Sequence, residues 1–75
     1  MGTVIRWGLL GAGQIARVFT NAMRFSRTGR IVAVASHSPG KADRLADDFA
    51  IPRRYAEYEE LLADEEVDVV YVSTV

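Results

Sequence analysis

The residues of this 75-residue chain best suited to chemistry form a glycine-rich turn at positions 11–16, GAGQIA. Glycine at position 11 permits a tight turn, and glycine at position 13 lets the backbone approach a phosphate without an intervening Cβ. If a helix begins at Gln14, its first amides and its dipole face an anion. The G-x-G-x-x-A spacing therefore predicts that this turn binds the pyrophosphate of a dinucleotide. The predicted contacts are Gly11, Ala12, Gly13, Gln14 and Ile15.

A second group of polar residues follows the apolar run at positions 31–35: Ser36, His37, Ser38 and Lys41. Domains selective for NAD carry Asp or Glu here to bind the ribose 2′-hydroxyl, whereas the first acidic residue of this chain is Asp43. The two serines can donate hydrogen bonds and Lys41 adds charge, while His37 adds partial charge or stacks on adenine. The group favours NADP over NAD and leaves dual specificity open. The alternative is that Ser38 only caps a helix and that Lys41 and His37 are solvated.

Ser73 and Thr74 close the last apolar run, and they form the third candidate site. They either contact the ribose or phosphate of the cofactor or simply end a strand. The sequence offers no pair of carboxylates, Ser/His/Asp set or general base with a clear catalytic role. It has no cysteine and a single histidine, which argues against a thiolate or histidine metal site. We therefore predict cofactor binding without a catalytic or metal residue.

These sites require a strand before each polar group and helices between the strands. The patterns predict strands at 3–10, 31–35, 53–55 and 67–72, and helices at 14–27, from Ser38-Pro39 to Ile51-Pro52, and at 58–63. The alternation predicts an α/β fold, the N-terminal portion of a doubly wound, parallel Rossmann domain with strand order 3-2-1-4 and a short third strand. Gly29 is expected to stop the first helix. The side chains predicted to pack on the sheet are Ile15, Val18, Phe19, Ala22, Met23, Ala42, Leu45, Ala46, Phe49, Leu61 and Leu62.

Charge is divided unequally along the chain. Positions 1–42 carry six basic residues and no acid, whereas positions 43–75 carry ten acids and three arginines. The basic half suits an anionic cofactor, and we expect no nucleic-acid partner because no aromatic residues are interleaved for stacking. The sequence shows no signal peptide and no apolar run long enough for a membrane span, which favours a cytoplasmic protein.

Four ordered blocks of this chain resemble the glucose-fructose oxidoreductase / inositol dehydrogenase / MocA (Gfo/Idh/MocA) family. They are RWGLLGAGQIA at 6–16, VAVASHS at 32–38 followed by Lys41-Ala42, YAEYEELL at 55–62 and VDVVYVST at 67–74. The resemblance implies an NAD(P)-dependent oxidoreductase of sugars, polyols or related compounds. Several members have Ser-Arg where this chain has Ser36-His37, and the arginine contacts the 2′-phosphate. The family usually continues the last strand with proline, where this chain has Val75.

The resemblance also implies that the family's catalytic lysine, catalytic histidine and sugar-binding domain have no counterpart within residues 1–75. We therefore expect the N-terminal cofactor-binding piece of such an oxidoreductase, which does not catalyse hydride transfer alone. Two alternatives stay open. One is a free-standing nucleotide-binding or regulatory module. The other is a structural piece that self-associates through the apolar edge of its last strand.

Overall fold

A computed structural model of the protein describes residues 4–73, apart from the side chain of Pro39. Four strands alternate with three helices along the chain. The strands are β1 (Ile5–Leu10), β2 (Gly29–Ala35), β3 (Arg53–Tyr55) and β4 (Val69–Val72). The helices are α1 (Gln14–Met23), α2 (Pro39–Phe49) and α3 (Tyr58–Leu62). Within the described residues, no helix is long and apolar enough to cross a membrane.

The four strands form one parallel sheet in the order β3-β2-β1-β4, which confirms the predicted Rossmann topology. Leu10 at the end of β1 is in register with Ala35 of β2 and with Val72 of β4. Ala35 is in turn in register with Tyr55 of β3. All four strands therefore end at the same edge of the sheet, the edge where ligands bind in doubly wound folds.

Helices cover both faces of the sheet. One core cluster, on the face of α1 and α2, consists of Leu9, Ala12, Ala16, Val34, Ala42, Leu45, Ala46 and Ile51. The other, on the face of α3, consists of Leu10, Ala33, Ala35 and Leu61. Neighbouring strand residues alternate between the two clusters because successive side chains of a strand point to opposite faces. The face predicted for α2 is confirmed, with Phe49 partly buried at its end.

The apolar stripe predicted for α1 is confirmed only in part: Phe19 packs against the core and Met23 is half-buried, whereas the other three residues are exposed. Ile15 and Val18 are 56% and 59% exposed, and Ala22 is also exposed. Ala16 is fully buried instead, and Thr20 one turn later is buried with its hydroxyl donating to the Ala16 carbonyl at 2.7 Å. The small side chain of Ala16 lets the helix pack closely on the sheet. With Ala16, Phe19 and Thr20 facing the sheet, α1 leaves Ile15, Val18 and Ala22 in solvent.

Two other predicted features are wrong for local reasons. The helix α1 ends at Met23, not near residue 27, and Gly29 is a buried residue of β2. The hydroxyl of Ser26 accepts hydrogen bonds from the Thr28 and Gly29 amides at 3.2 and 3.1 Å, and it thus shapes the turn that the sequence pattern assigned to helix. Leu62 is 60% exposed, because the short helix α3 buries Leu61 fully and Tyr58 partly, and Leu62 lies off that face.

The acidic half of the chain pairs with arginines of both halves. Arg6 of β1 binds the carboxylate of Asp68 at 3.0 Å and also contacts Glu66, so the beginnings of β1 and β4 are tied together. The hydrogen bond from the Arg6 side chain is the main cause that lowers the pKa of Asp68 below its ordinary value. The charge asymmetry of the sequence is therefore partly neutralised inside the fold.

Candidate functional site

The glycine turn connects β1 to α1 at the edge where the strands end. Gly11 has a positive φ of 104°, a conformation that L-residues adopt only with strain. Its amide donates to the carbonyl of Ala35 at 2.8 Å, which joins the turn to the end of β2. The structure therefore requires glycine at position 11 for the backbone itself.

Gly13 has no comparable structural requirement. Its φ of −87° and ψ of −160° are open to any residue, and a Cβ built there meets no heavy atom within 4 Å. The Arg17 amide donates to the Gly13 carbonyl at 3.1 Å, and this bond begins the helix. Among residues 4–73, no side chain caps the N-terminus of α1, and its first turn carries no acidic residue. The open space beside Gly13 and the first amides of α1, which have no acceptor within the helix, suit a closely bound anion.

A cavity of about 200 Å³ adjoins this turn. Three cationic side chains line it together with the backbone of the turn, one from α1 and two from α2. The lining residues are Ala12, Gly13, Gln14, Arg17, Lys41 and Arg44. Of these cations the sequence pattern singled out only Lys41. The spacing of the two arginines could have identified them, because Arg17 lies four residues after Gly13 and Arg44 lies three residues after Lys41. Each arginine is therefore one helical turn further from the strand ends than the residue already predicted.

The three cations have different surroundings. Arg17 is held by an ion pair of 2.6 Å with Asp48, and its guanidinium lies 5.9 Å from the centre of the Phe49 ring. For Lys41 and Arg44, no carboxylate among residues 4–73 comes within 4.0 Å of a side-chain nitrogen. Their positive charge therefore faces the cavity without a neutralising partner in this part of the chain.

The polar residues after β2 lie between the end of that strand and α2. Ser36 is buried, and its hydroxyl oxygen accepts a hydrogen bond from the Ser38 amide at 3.1 Å. Ser38 precedes α2 as predicted, but its hydroxyl makes no capping hydrogen bond, so it stays exposed for other partners. Asp43, the first acid of the chain, lies 3.4 Å from Arg54. Its carboxylate is thus engaged with β3, and it does not line the cavity.

His37 stacks on the ring of Tyr58. The ring centres are 4.2 Å apart and the planes differ by 14°. His37 is exposed, whereas Tyr58 at the start of α3 is partly buried against the core. The pair offers a flat aromatic surface at the end of β2, and the support from Tyr58 could not be seen in the sequence because 21 positions separate the two residues.

Ser73 lies at the end of β4, beside the glycine turn. Its amide and its hydroxyl both donate to the carbonyl of Leu10, at 2.9 and 3.0 Å. The hydroxyl therefore fastens β4 to the end of β1, immediately before Gly11. Thr74, the other residue predicted at this place, lies outside the described residues.

A larger cavity, of about 300 Å³, lies away from these residues, beside the amino end of β2. It is lined by residues that include Arg24, Gly29, Arg30 and Phe49, and by none of the predicted contacts. Among residues 4–73, no group of three or more His, Cys, Asp or Glu side chains is arranged to hold a metal ion. Of the predicted residues, the fold brings Ala12, Gly13, Gln14 and Lys41 together at the basic cavity, which Ser36, His37 and Ser38 do not line.

Comparisons with known proteins agree with this arrangement. A sequence profile of the GFO_IDH_MocA oxidoreductase family, NAD-binding Rossmann fold, matches residues 5–75. A trans-1,2-dihydrobenzene-1,2-diol dehydrogenase from Danio rerio is 44% identical over 73 residues, which cover 95% of this chain and 22% of that protein.

Two solved structures superpose on the chain. The first is an oxidoreductase from Agrobacterium radiobacter in complex with NAD+, L-tartaric acid and magnesium, with a TM-score of 0.92 and 29% identity; the match covers 97% of this chain and 21% of that one. The second is a 3-ketoreductase from Actinomadura kijaniata in complex with TDP-benzene and NADP, with a TM-score of 0.87 and 29% identity; here 95% and 22% are covered. The chain thus spans about a fifth of the length of each relative.

Proposed function

Because this chain belongs to the Gfo/Idh/MocA oxidoreductase family, we propose that it binds a nicotinamide dinucleotide for an oxidoreductase acting on a sugar, polyol or related compound. The relatives named above support this proposal, since they are a dehydrogenase of a cyclic diol, an oxidoreductase in complex with NAD+ and a 3-ketoreductase in complex with NADP. The relatives are several times longer than this chain. We therefore propose that residues outside positions 1–75 bind the substrate and move its proton.

Gly13 is the observation that carries the proposal. Neither its backbone angles nor its packing requires glycine, yet a side chain there would occupy the open space beside the first turn of α1. A pyrophosphate in that space would accept hydrogen bonds from the amides of Gln14 and Ile15, and the helix dipole would favour its negative charge. The residues present therefore fit the group, and the nicotinamide of the bound dinucleotide would supply the hydride chemistry.

The basic cavity favours NADP over NAD. A 2′-phosphate carries one to two negative charges more than a ribose hydroxyl, and Lys41 and Arg44 face the cavity without a carboxylate partner in the described part of the chain. No acidic side chain follows β2 to bind the 2′-hydroxyl or to repel the phosphate. In this proposal the hydroxyls of Ser36 and Ser38 would donate hydrogen bonds to the phosphate, and the adenine ring would stack on the His37–Tyr58 pair.

Calorimetric titration of the full protein with NADP and NAD at low ionic strength tests this function. We expect binding of both, with NADP bound about tenfold more tightly, which corresponds to one additional charge-assisted contact of about 1.4 kcal/mol. Binding of neither dinucleotide would contradict the proposal. A preference for NAD would contradict the assignment of the cavity to the 2′-phosphate.

The open alternatives are separated by a second measurement on the same protein. Hydride transfer to or from a polyol, observed as a change in nicotinamide absorbance, supports the oxidoreductase. Tight binding without turnover, in the presence of every domain that the natural protein contains, supports a nucleotide-binding or regulatory module. We also propose a cytoplasmic location, which fits the absence of cysteine.

The edge of β4 supports a further part of the proposal, self-association. Within residues 4–73, β4 pairs only with β1, and two of its apolar side chains are exposed, Val69 and Val72. They point to opposite faces of the sheet, because they lie an odd number of positions apart along the strand. We propose that a second copy pairs along this edge. In sedimentation experiments, we expect the unmodified protein to be a dimer and the Val72→Lys variant to be a monomer. A monomeric unmodified protein at high concentration would contradict this proposal.

A further inference from the structure

We propose that Arg17 is an additional cation for the 2′-phosphate and that Asp48 competes with the phosphate for it. The Arg17–Asp48 ion pair would then set the affinity of the site for 2′-phosphorylated dinucleotides. This inference rests on the proposed dinucleotide binding. It assigns a specificity-determining role to two residues that the glycine fingerprint does not include.

The position of Arg17 is the first argument. The pyrophosphate is expected at the tip of α1, where the amides of Gln14 and Ile15 lie. Arg17 is one turn further along α1, and it lines the same cavity as Lys41 and Arg44 of α2. The turn residues Gly13 and Gln14 line this cavity too, and they face the pyrophosphate. The three cations lie further along α1 and on α2, which follows β2, so they are better matched by a phosphate on the adenosine ribose held at the end of β2.

The contacts of Arg17 are the second argument. Its Nη2 atom lies 2.6 Å from Oδ2 of Asp48, with 33% of the arginine side chain and 49% of the aspartate side chain exposed. Ion pairs as exposed as this one contribute little to stability, because water screens them. A phosphate with nearly two negative charges competes well with a single carboxylate for the same guanidinium. The Arg17 guanidinium also lies 5.9 Å from the centre of the Phe49 ring, a contact that does not depend on Asp48.

The chain provides a matched control for the charge of Asp48. Asp47 is the preceding residue of α2, and its carboxylate binds Arg54 at 2.7 Å instead of Arg17. Asp47→Asn and Asp48→Asn remove the same charge at neighbouring positions, but only the second releases Arg17. A difference between the two variants therefore reports the specific ion pair and not the net charge of the protein.

The experiment is calorimetric titration of the full protein and its variants with NADP and with NAD. Arg17→Gln should weaken NADP binding about fivefold and NAD binding less than twofold, as expected for one partly screened charge. Asp48→Asn should strengthen NADP binding about two- to threefold, and Asp47→Asn should change it less. In the Arg17→Gln background, Asp48→Asn should have no effect, because the competing group is then absent. Arg17→Lys should retain most of the NADP affinity, and thermal unfolding checks that each variant is folded.

The outcomes separate this inference from the proposed function. If the unmodified protein binds neither dinucleotide, the proposed function and the role of Arg17 are both wrong. If it binds NADP but Arg17→Gln does not change the NADP to NAD ratio, only the inference is wrong. An equal gain from Asp47→Asn and Asp48→Asn would also overturn it, since net charge alone would then explain the effect.

Discussion

Arg53 of β3 donates a hydrogen bond of 2.5 Å to the carboxylate of Asp64, whose side chain is only 4% exposed. The same carboxylate accepts hydrogen bonds from the Tyr55 hydroxyl at 2.7 Å and from the Glu66 amide at 2.9 Å. Asp64 therefore connects the short strand β3 to the loop between α3 and β4. This connection holds the far edge of the sheet, where β3 contributes only three residues.

Acid should break this connection. The hydrogen bond from Arg53, followed by those from Glu66 and Tyr55, lowers the pKa of Asp64 to about 2 from an ordinary value of 3.8. A carboxyl with a lowered pKa in the folded state stabilises the fold above its unfolded pKa and loses this effect as the pH falls towards its folded pKa. We expect the thermal midpoint to fall between about pH 4 and pH 2. Asp64→Asn should lower the midpoint at pH 7 and flatten this part of the curve.

The neighbouring Glu65 provides the control for Asp64. Glu65 is exposed, and none of the hydrogen bonds or ion pairs among residues 4–73 involves its side chain. Glu65→Gln should leave both the midpoint and its pH dependence nearly unchanged. Thermal unfolding of the three proteins from pH 2 to pH 6 measures the difference. The same acid dependence in Asp64→Asn as in the unmodified protein would show that another group is responsible.

The two fingerprint glycines should respond differently to substitution. Gly11→Ala should destabilise the fold by about 1–3 kcal/mol, because alanine is strained at a φ of 104°. Gly13→Ala should change stability by less than about 1 kcal/mol, because the backbone there is extended and the new Cβ has open space. It should nevertheless weaken dinucleotide binding about tenfold or more, as the methyl group occupies the phosphate position.

Thermal unfolding and calorimetric titration together check these two variants. Gly40→Ala is the control for an added methyl group, because Gly40 also has nothing within 4 Å of its Cβ position and does not line the basic cavity. If Gly13→Ala binds NADP as well as the unmodified protein does, the phosphate does not approach the turn as proposed.

The order of the sheet was predictable because apolar runs and helical patterns alternate clearly along the chain. Parallel strands joined by right-handed crossovers allow few arrangements of such a pattern. The rotation of α1 was not predictable from hydrophobicity, since Ile15 and Val18 are more apolar than Ala16 and Thr20, which the sheet buries. Close packing of α1 on the sheet determined which side of the helix is buried. The Thr20 hydroxyl can be buried on that side because it donates a hydrogen bond to the Ala16 carbonyl of the helix backbone.

The candidate site was predictable only where a local motif describes it. Glycine spacing identified the turn, and the serines and Lys41 follow β2 directly in the sequence. Arg17 and Arg44 belong to two different helices, and their approach to one cavity depends on how those helices pack. The stacking of His37 on Tyr58 depends likewise on the crossing of α3 to the other face of the sheet.

Gly8 in the middle of β1 should resist enlargement. A Cβ at this position would lie 2.8 Å from Cδ2 of Leu61 and 3.0 Å from Cγ1 of Val67, both packed over the sheet. Gly8→Ala should therefore destabilise the protein by about 1–3 kcal/mol through overpacking. Denaturant unfolding of the Gly8→Ala/Leu61→Val double variant tests this contact. The double variant should lose less free energy of unfolding than the sum of the losses in the two single variants, by about 0.5 kcal/mol or more. Additive costs would show that β1 and α3 adjust independently.

Cofactor preference should shift from NADP towards NAD when the charge after β2 is changed. Lys41→Ala should weaken NADP binding about fivefold and NAD binding little, because only the 2′-phosphate requires the cation. Ser36→Asp places a carboxylate where NAD-selective domains carry one. The aspartate carboxylate can still accept the hydrogen bond from the Ser38 amide, which the Ser36 hydroxyl oxygen accepts at 3.1 Å in the unmodified protein. It should repel the 2′-phosphate and bind the 2′-hydroxyl, so NADP binding should fall about tenfold or more while NAD binding is kept or improved.

Titration of both dinucleotides into these variants measures the preference, and Arg27→Ala controls for the loss of one positive charge. Arg27 is exposed and does not line the basic cavity, so its removal should change the NADP to NAD ratio less than the removal of Lys41. If Ser36→Asp weakens the binding of NADP and NAD equally, the residue is needed for the local fold and not for discrimination. If Ser36→Asp weakens the binding of NADP alone, the end of β2 contacts the ribose 2′-position. The cations of α2 then act on the phosphate attached there.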